Sequence, residues 1–151
     1  MPARLPGVAQ RDAVAVAGYS GTPLQQKLGL ATGDRVAFVG AVPAGFADQF
    51  SGVKARSAVR GSLETVVLFV AWRLDVEKRF PAAGAAIAPD GKLWVAWPKK
   101  ASKRPTDITE DVLRDVLLPS GLVDVKVCAV DEVWSGLKFV WRRELRPTRP
   151  N

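Results

Sequence analysis

The sequence predicts an α/β domain on a mostly parallel sheet, and three observations carry that prediction. The apolar runs at 35–39, 65–70 and 92–97 lack polar alternation, as strands covered on both faces do. Helical patterns fall between them. After residue 121 the period changes to two, which adds two half-exposed strands joined by a short connection and paired antiparallel. The fold class is therefore a three-layer, Rossmann-like sheet, mostly parallel and ending in an antiparallel pair.

Each element has its own signal. Thr22 caps a short helix with Pro23 at its first position, and Gly29 ends it after Leu28. Gly33-Asp34 turns into the first strand, 35–39. A short helix is expected over 46–50 and a weaker strand over 53–59. The second strong strand is 65–70. Over 75–88, Val76, Phe80, Ala83 and Ile87 share one helical face, which Pro81 should kink or restart. Pro89-Asp90-Gly91 reads as a turn before the third strong strand at 92–97. Asp107 and Glu110 have capping-box spacing ahead of the stripe Val112, Leu113, Val116, Leu117, which Pro119-Ser120-Gly121 terminates. Val123, Val125, Val127 and Ala129 then alternate with Asp124, Lys126 and Cys128, and Leu137, Phe139 and Trp141 form the partner run.

The 151 residues make one domain's worth of chain, read as a flexible arm at 1–17, a single α/β domain at 18–143 and a flexible basic tail at 144–151. The net charge of +7 lies partly in those ends, since residues 18–140 carry only +3. Inside the domain the cations cluster at Lys99, Lys100, Lys103 and Arg104. No apolar run is long enough to span a bilayer, so the expectation is a cytoplasmic protein. With one cysteine and no histidine, an intramolecular disulfide, metal sites built from imidazole or clustered thiolates, and a Ser-His-Asp or Cys-His triad are excluded, and no metal is expected. Cys128 reads as a structural thiol within its strand.

Two resemblances add to this reading. Lys27-Leu28-Gly29-Leu30 through Gly33-Asp34-Arg35-Val36, and Ala88-Pro89-Asp90-Gly91-Lys92-Leu93, look like phrases of the class I S-adenosylmethionine-dependent methyltransferase fold, here truncated. Three further phrases resemble the domain-of-unknown-function family 3052, which is bacterial, largely actinobacterial and uncharacterised. They are residues 18–24, Trp94-Val95-Ala96-Trp97-Pro98-Lys99-Lys100, and residues 121–138. The first resemblance implies S-adenosylmethionine as cofactor. The residues disfavour it: Phe38 stands where that fold carries an acid, and Ala41-Val42-Pro43-Ala44 separates Gly40 from Gly45 where close glycines would let backbone approach the ligand. Residues 59–61 likewise lack a ribose-binding carboxylate, leaving Glu64 as the nearest acid.

Ligands of open α/β sheets bind beyond the carboxyl ends of the strands. That rule gathers Gly40, Gly45, Trp72, Arg73, Trp97, Lys99, Lys100, Asp131, Glu132 and Trp134 on one edge, with Tyr19 and Ser20 folded over it. Trp72 and Trp134 beside Arg73 and Lys99 suit stacking on a planar ring with an anionic tail. Asp131 and Glu132 suit a solvated turn or pairing with Lys99 and Lys100, and no catalytic set is evident. The function expected first is a non-catalytic binding or regulatory module, with a small anionic ligand or acidic protein as partner. The alternatives are a divergent small S-adenosylmethionine-dependent methyltransferase, and salt-sensitive, sequence-independent nucleic-acid binding through the Lys99–Arg104 loop and Arg142, Arg143, Arg146 and Arg149. No membrane partner is expected.

Overall fold

Side chains alternate between the two faces of a strand, so a strand without polar residues has to be buried on both. The computed structural model describes residues 23–145. The expected arm at 1–17, Tyr19, Ser20, Thr22 and residues 146–151 of the expected tail lie outside the described residues. In chain order come α1 (Leu24–Leu28), β1 (Arg35–Gly40), a 3-10 turn (Phe46–Gln49), β2 (Lys54–Arg56), β3 (Leu63–Phe69), α2 (Arg73–Ala86), β4 (Ile87–Pro98), α3 (Glu110–Leu117), β5 (Leu122–Ala129) and β6 (Trp134–Trp141), with further short 3-10 turns after β4, α3 and β6. The strands form one sheet in the order β2-β1-β3-β4-β6-β5. The first four run parallel, and β6 is antiparallel to both β4 and β5. This is the α/β sheet with a closing antiparallel pair that the sequence predicts.

Alternation along β1, β3 and β4 feeds two cores. Ala37, Val39, Val66, Leu68, Leu93, Val95 and Trp97 pack under α2 and α3, which bury Val76, Ala83, Leu113 and Leu117 against them. Val36, Phe38, Val67, Phe69, Trp94 and Ala96 face the other way, toward Leu28 and Leu30 around α1 and Phe46 of the 3-10 turn. That second face is closed largely by aromatic rings. Phe46 meets Phe38 and Phe69 edge-on at centroid distances of 5.1 and 5.0 Å, and Phe69 meets Trp134 at 5.1 Å. Trp94, fully buried, donates from its indole Nε1 to the Leu28 carbonyl at 3.0 Å and so pins α1 to the sheet.

Several local expectations change once packing is added. Pro23 occupies the N-cap of α1 rather than its first turn, while Gly29 ends the helix in the left-handed region at φ 74° as its sequence position suggests. The expected 53–59 strand shortens to three exposed residues at the sheet edge. Pro81 does not restart α2, which runs continuously through it. Ile87 is the first residue of β4, not a helical residue. The expected Pro89-Asp90-Gly91 turn is absorbed as an irregularity within β4, whose pairing with β3 jumps from Leu63↔Ile87 to Thr65↔Lys92. The cap of α3 is Thr109, whose Oγ1 accepts from the Val112 N–H at 3.2 Å; Asp107 instead accepts from the Arg73 N–H at 2.7 Å. Alternation in β5 is broken by a bulge between Asp124 and Lys126, and both Val125 and Val127 are exposed. Arg114 holds α3 to this strand, with its guanidinium bonded to Asp124, Asp111 and Glu110, each at 3.0 Å. Among the described residues no helix is long and apolar enough to cross a membrane.

Two expected outcomes follow from polar groups in this frame. Thr65 is fully buried, and among the described residues its hydroxyl has no hydrogen-bond partner. Thr65→Val should therefore raise the unfolding free energy by about 1–2 kcal/mol, and an unchanged or lower urea midpoint would contradict this account. At the amino edge, Glu64 accepts from the guanidinium of Arg35 at 3.0 Å and from its backbone N–H at 2.6 Å. Chiefly through the side-chain hydrogen bond, Arg35 holds the Glu64 carboxyl below its ordinary value of 4.5. A carboxyl lowered in the folded state adds stability above its unfolded value and loses it as pH falls through the folded one. Glu64→Gln should thus flatten the decline of Tm below about pH 4.5; an identical acid limb in both proteins would remove Glu64 from the explanation.

Candidate functional site

The parallel strands end together at Gly40, Phe69 and Pro98, and β6 begins beside them because Trp134 pairs with Pro98. From β1 the chain passes outward to β2, then returns to the other side of β1 as β3. The carboxyl ends of β1 and β3 are thus the switch point at which open α/β sheets leave a crevice. The backbone there is tightly laced. The Ala41 N–H donates to the Phe69 carbonyl and the Val70 N–H to the Ala96 carbonyl, each at 2.9 Å. Gly40, at φ 87°, lies so close to β3 that a Cβ on it would overlap the Phe69 carbonyl oxygen. Its lack of a side chain serves the approach of two strands.

The structure places the described residues of the anticipated edge together there, but it gives them unequal freedom. Trp97 and Trp134 are 7% and 4% exposed and belong to the two cores, so neither presents an open ring face to solvent. Trp72, 45% exposed, does. The Arg73 guanidinium is held by Glu77 and Asp115, each at 3.0 Å, and hydrogen bonding to these carboxylates raises its pKa further. Asp131 does not pair with the lysines: its Oδ1 accepts from the Val133 and Trp134 N–H groups, both at 2.8 Å, which makes it the organiser of the β5–β6 turn. Lys99 joins that turn through its backbone N–H, 2.7 Å from the Val133 carbonyl. Among the described residues neither Lys99 nor Lys100 is in an ion pair. Glu64, the nearest acid after β2 in sequence, is paired with Arg35 at the opposite edge and is out of reach of this site.

Among the described residues, two clefts lie at this edge. One, about 520 Å³, lies beyond β4 with Trp97, Pro98 and Ile108 as apolar wall and Lys100, Lys103 and Arg104 as cations. The acids in its lining are engaged elsewhere, Asp107 with the Arg73 N–H and Glu110 with Arg114. Lys103 is the one non-glycine among the described residues with positive φ, 61°. The other cleft, about 410 Å³, lies over β1 and β2 and is lined by Phe38, Val42, Ala47, Ala55, Arg56 and Ser57. Sequence reasoning missed it. Its signal was the spacing itself: the link from β1 to β2 contains a single 3-10 turn instead of a helix, so the ends of both strands stay open. Burial pushes the half-buried Cys128 thiol up, consistent with an unreactive thiol. Among the described residues no cluster of three or more His, Cys, Asp or Glu side chains could hold a metal ion.

No family model and no curated protein matches the chain. Solved structures do. Magnesium protoporphyrin IX methyltransferase from Synechocystis PCC 6803, with bound SAM, superposes with a TM-score of 0.54 at 14% identity over 79% of this chain and 74% of that one. The ribosomal protein L11 methylase from Lactobacillus delbrueckii subsp. bulgaricus gives 0.52 at 9% identity over 79% and 76%. TrmN from Thermus thermophilus gives 0.51 at 12% identity, and there this chain spans only 47% of the longer protein. The expectation of a non-catalytic binding module is corrected by these neighbours, which favour the methyltransferase alternative. Identities this low speak for the fold: the chain has the Rossmann-like fold of S-adenosylmethionine-dependent methyltransferases in a shortened form.

Proposed function

We propose that the chain is a small, divergent methyltransferase that takes S-adenosylmethionine in the cleft over β1 and β2. The observation that carries this reading is the position of that cleft, beside the switch point of a methyltransferase-type sheet. Its size falls in the range of small-molecule sites. The residues fit an adenosyl group: Phe38, Val42 and Ala47 offer an apolar wall for the base. Ser57, just past the carboxyl end of β2, offers a hydroxyl to the ribose diol. Asp48, the sole acid between β1 and β2, is exposed on the 3-10 turn near Gly45 and is available to the ammonium of the methionyl part. These contacts differ from the carboxylate and close glycines that the methyltransferase resemblance implies. When bound, the cofactor supplies a methyl group activated on its sulfonium. The chain's task is then to orient the two reactants and exclude water. The larger cleft beyond β4, with its free cations, suits an acceptor bearing negative charge. The phrases around residues 18, 94 and 121 support placing the chain in domain-of-unknown-function family 3052 as a bacterial, cytoplasmic protein.

Calorimetric titration with S-adenosylmethionine and S-adenosylhomocysteine tests the reading. Wild type should bind at least one of them, and Ser57→Asp, which places a carboxylate at the end of β2, should tighten binding roughly tenfold through a charge-assisted bond to the ribose. No heat with either compound, for wild type and for Ser57→Asp alike, would overturn it.

A further inference from the structure

The face of the antiparallel half of the sheet turned away from α2 and α3 carries lysines in adjoining strands. Lys126 of β5 is the direct cross-strand partner of Lys138 of β6. Lys138 in turn pairs with Trp94 of β4, and Lys92 lies two residues from Trp94 on the same face. Trp94 belongs to the core on the α1 side, which sets the direction of all three lysines. Lys92 lays its stem against Gly29 at the end of α1. Like charges directly opposite each other in a sheet cost stability. No carboxylate on β5 or β6 relieves that cost on this face, because β6 has no acid and Asp124 of β5 pairs with Phe139 on the other face, where Arg114 holds it. The crowding is visible in Lys138, which burial first, and then the charges of Lys92 and Lys126, push below the ordinary lysine range of 10.5.

We infer that this face is a docking surface for the phosphate backbone of a nucleic acid. The three lysines span three strands at about 4.8 Å each, a reach suited to successive phosphates more than to one small anion. Lysine supplies point charges, and the aromatic ring on this stretch, Trp94, is fully buried, so the contact is with backbone and not by stacking on bases. Asp34, Glu64 and Asp90 act on Lys92 and partly offset its charge, but no acid of β5 or β6 offsets Lys126 and Lys138 on this face, and neither would a second copy of the chain or its ends. A second copy carries +7; residues 1–22 contain Arg4, Arg11 and Asp12, and residues 146–151 contain Arg146 and Arg149. This docking is separate from the cofactor cleft and holds whether or not that cleft binds S-adenosylmethionine.

Fluorescence anisotropy with a labelled duplex of about 20 base pairs, measured on the full chain between about 50 and 200 mM salt, tests the inference. The expected slope of log Kobs against log salt includes about one unit each for Lys126 and Lys138, and less for Lys92, which Asp34, Glu64 and Asp90 partly offset. Lys126→Gln and Lys138→Gln should each reduce it by about one, and the double variant should bind at least tenfold more weakly at the low-salt end. Both variants keep most of the aliphatic stem and remove a like-charge contact, so a Tm at or above that of wild type accompanies the expected loss. Equal slopes for wild type and the double variant would overturn the inference. So would loss of binding in Lys100→Gln/Lys103→Gln instead, or tighter binding of polyglutamate than of the duplex with the same dependence on Lys126 and Lys138.

Discussion

Double-sided burial of β1, β3 and β4 is the constraint on which the rest of the molecule depends. Strands with Val, Phe, Leu and Trp pointing both ways cannot sit at a surface, and their parallel pairing needs crossovers that lay covering elements on the faces. One face meets this in the ordinary way, through α2 and α3. The other, among the described residues, does so with little helix, by inserting Leu28, Leu30 and Phe46 over Val36, Phe38, Val67 and Trp94 and by interlocking phenylalanine rings. The indole hydrogen bond from Trp94 to Leu28 satisfies a polar atom that would otherwise be costly in that dry layer.

That economy of cover is also what opens the molecule to ligands. A full helix between β1 and β2 would lie across the strand ends; the 3-10 turn leaves them bare, and the cleft over Phe38 and Ser57 results. Beyond β4, the 99–109 segment stands away from the sheet and is tied back by Thr106 to the Ala71 carbonyl and by Asp107 to the Arg73 N–H. The acids of that region are spent on structure, which leaves the cations of the loop facing the cavity. Charge is divided in the same manner across the antiparallel half. Its acid, Asp124, is drawn to Arg114 on the helical face, and its lysines remain on the other.

Much of this was legible residue by residue. The three apolar runs, the change to period two after Gly121 and the end of α1 at Gly29 are local consequences of side-chain periodicity and turn chemistry, and the structure shows each. The failures have a common cause. Asp107 has the spacing of a capping residue, yet Thr109 takes that role because Asp107 is drawn across the edge to Arg73, 34 residues away. Glu64 is the first acid after β2 along the chain, yet in space it lies at the far edge beside Arg35. Pro81 breaks isolated helices, but α2 is held on both sides of it by Val76 and Ala83 in the core.

The sequence by itself determined the class of sheet, the order of its elements and the chemistry that is absent, since a 48% hydrophobic chain without histidine settles those through composition and period alone. Only the tertiary structure decided which side chains are free to meet a ligand. Trp134, Arg73 and Asp131 look available in sequence and are committed to a ring contact, two ion pairs and a turn; Ser57, Asp48, Lys126 and Lys138 look ordinary and are exposed or grouped. The reason is that a side chain's freedom depends on partners brought from distant parts of the chain, and those partnerships exist only after the sheet has closed.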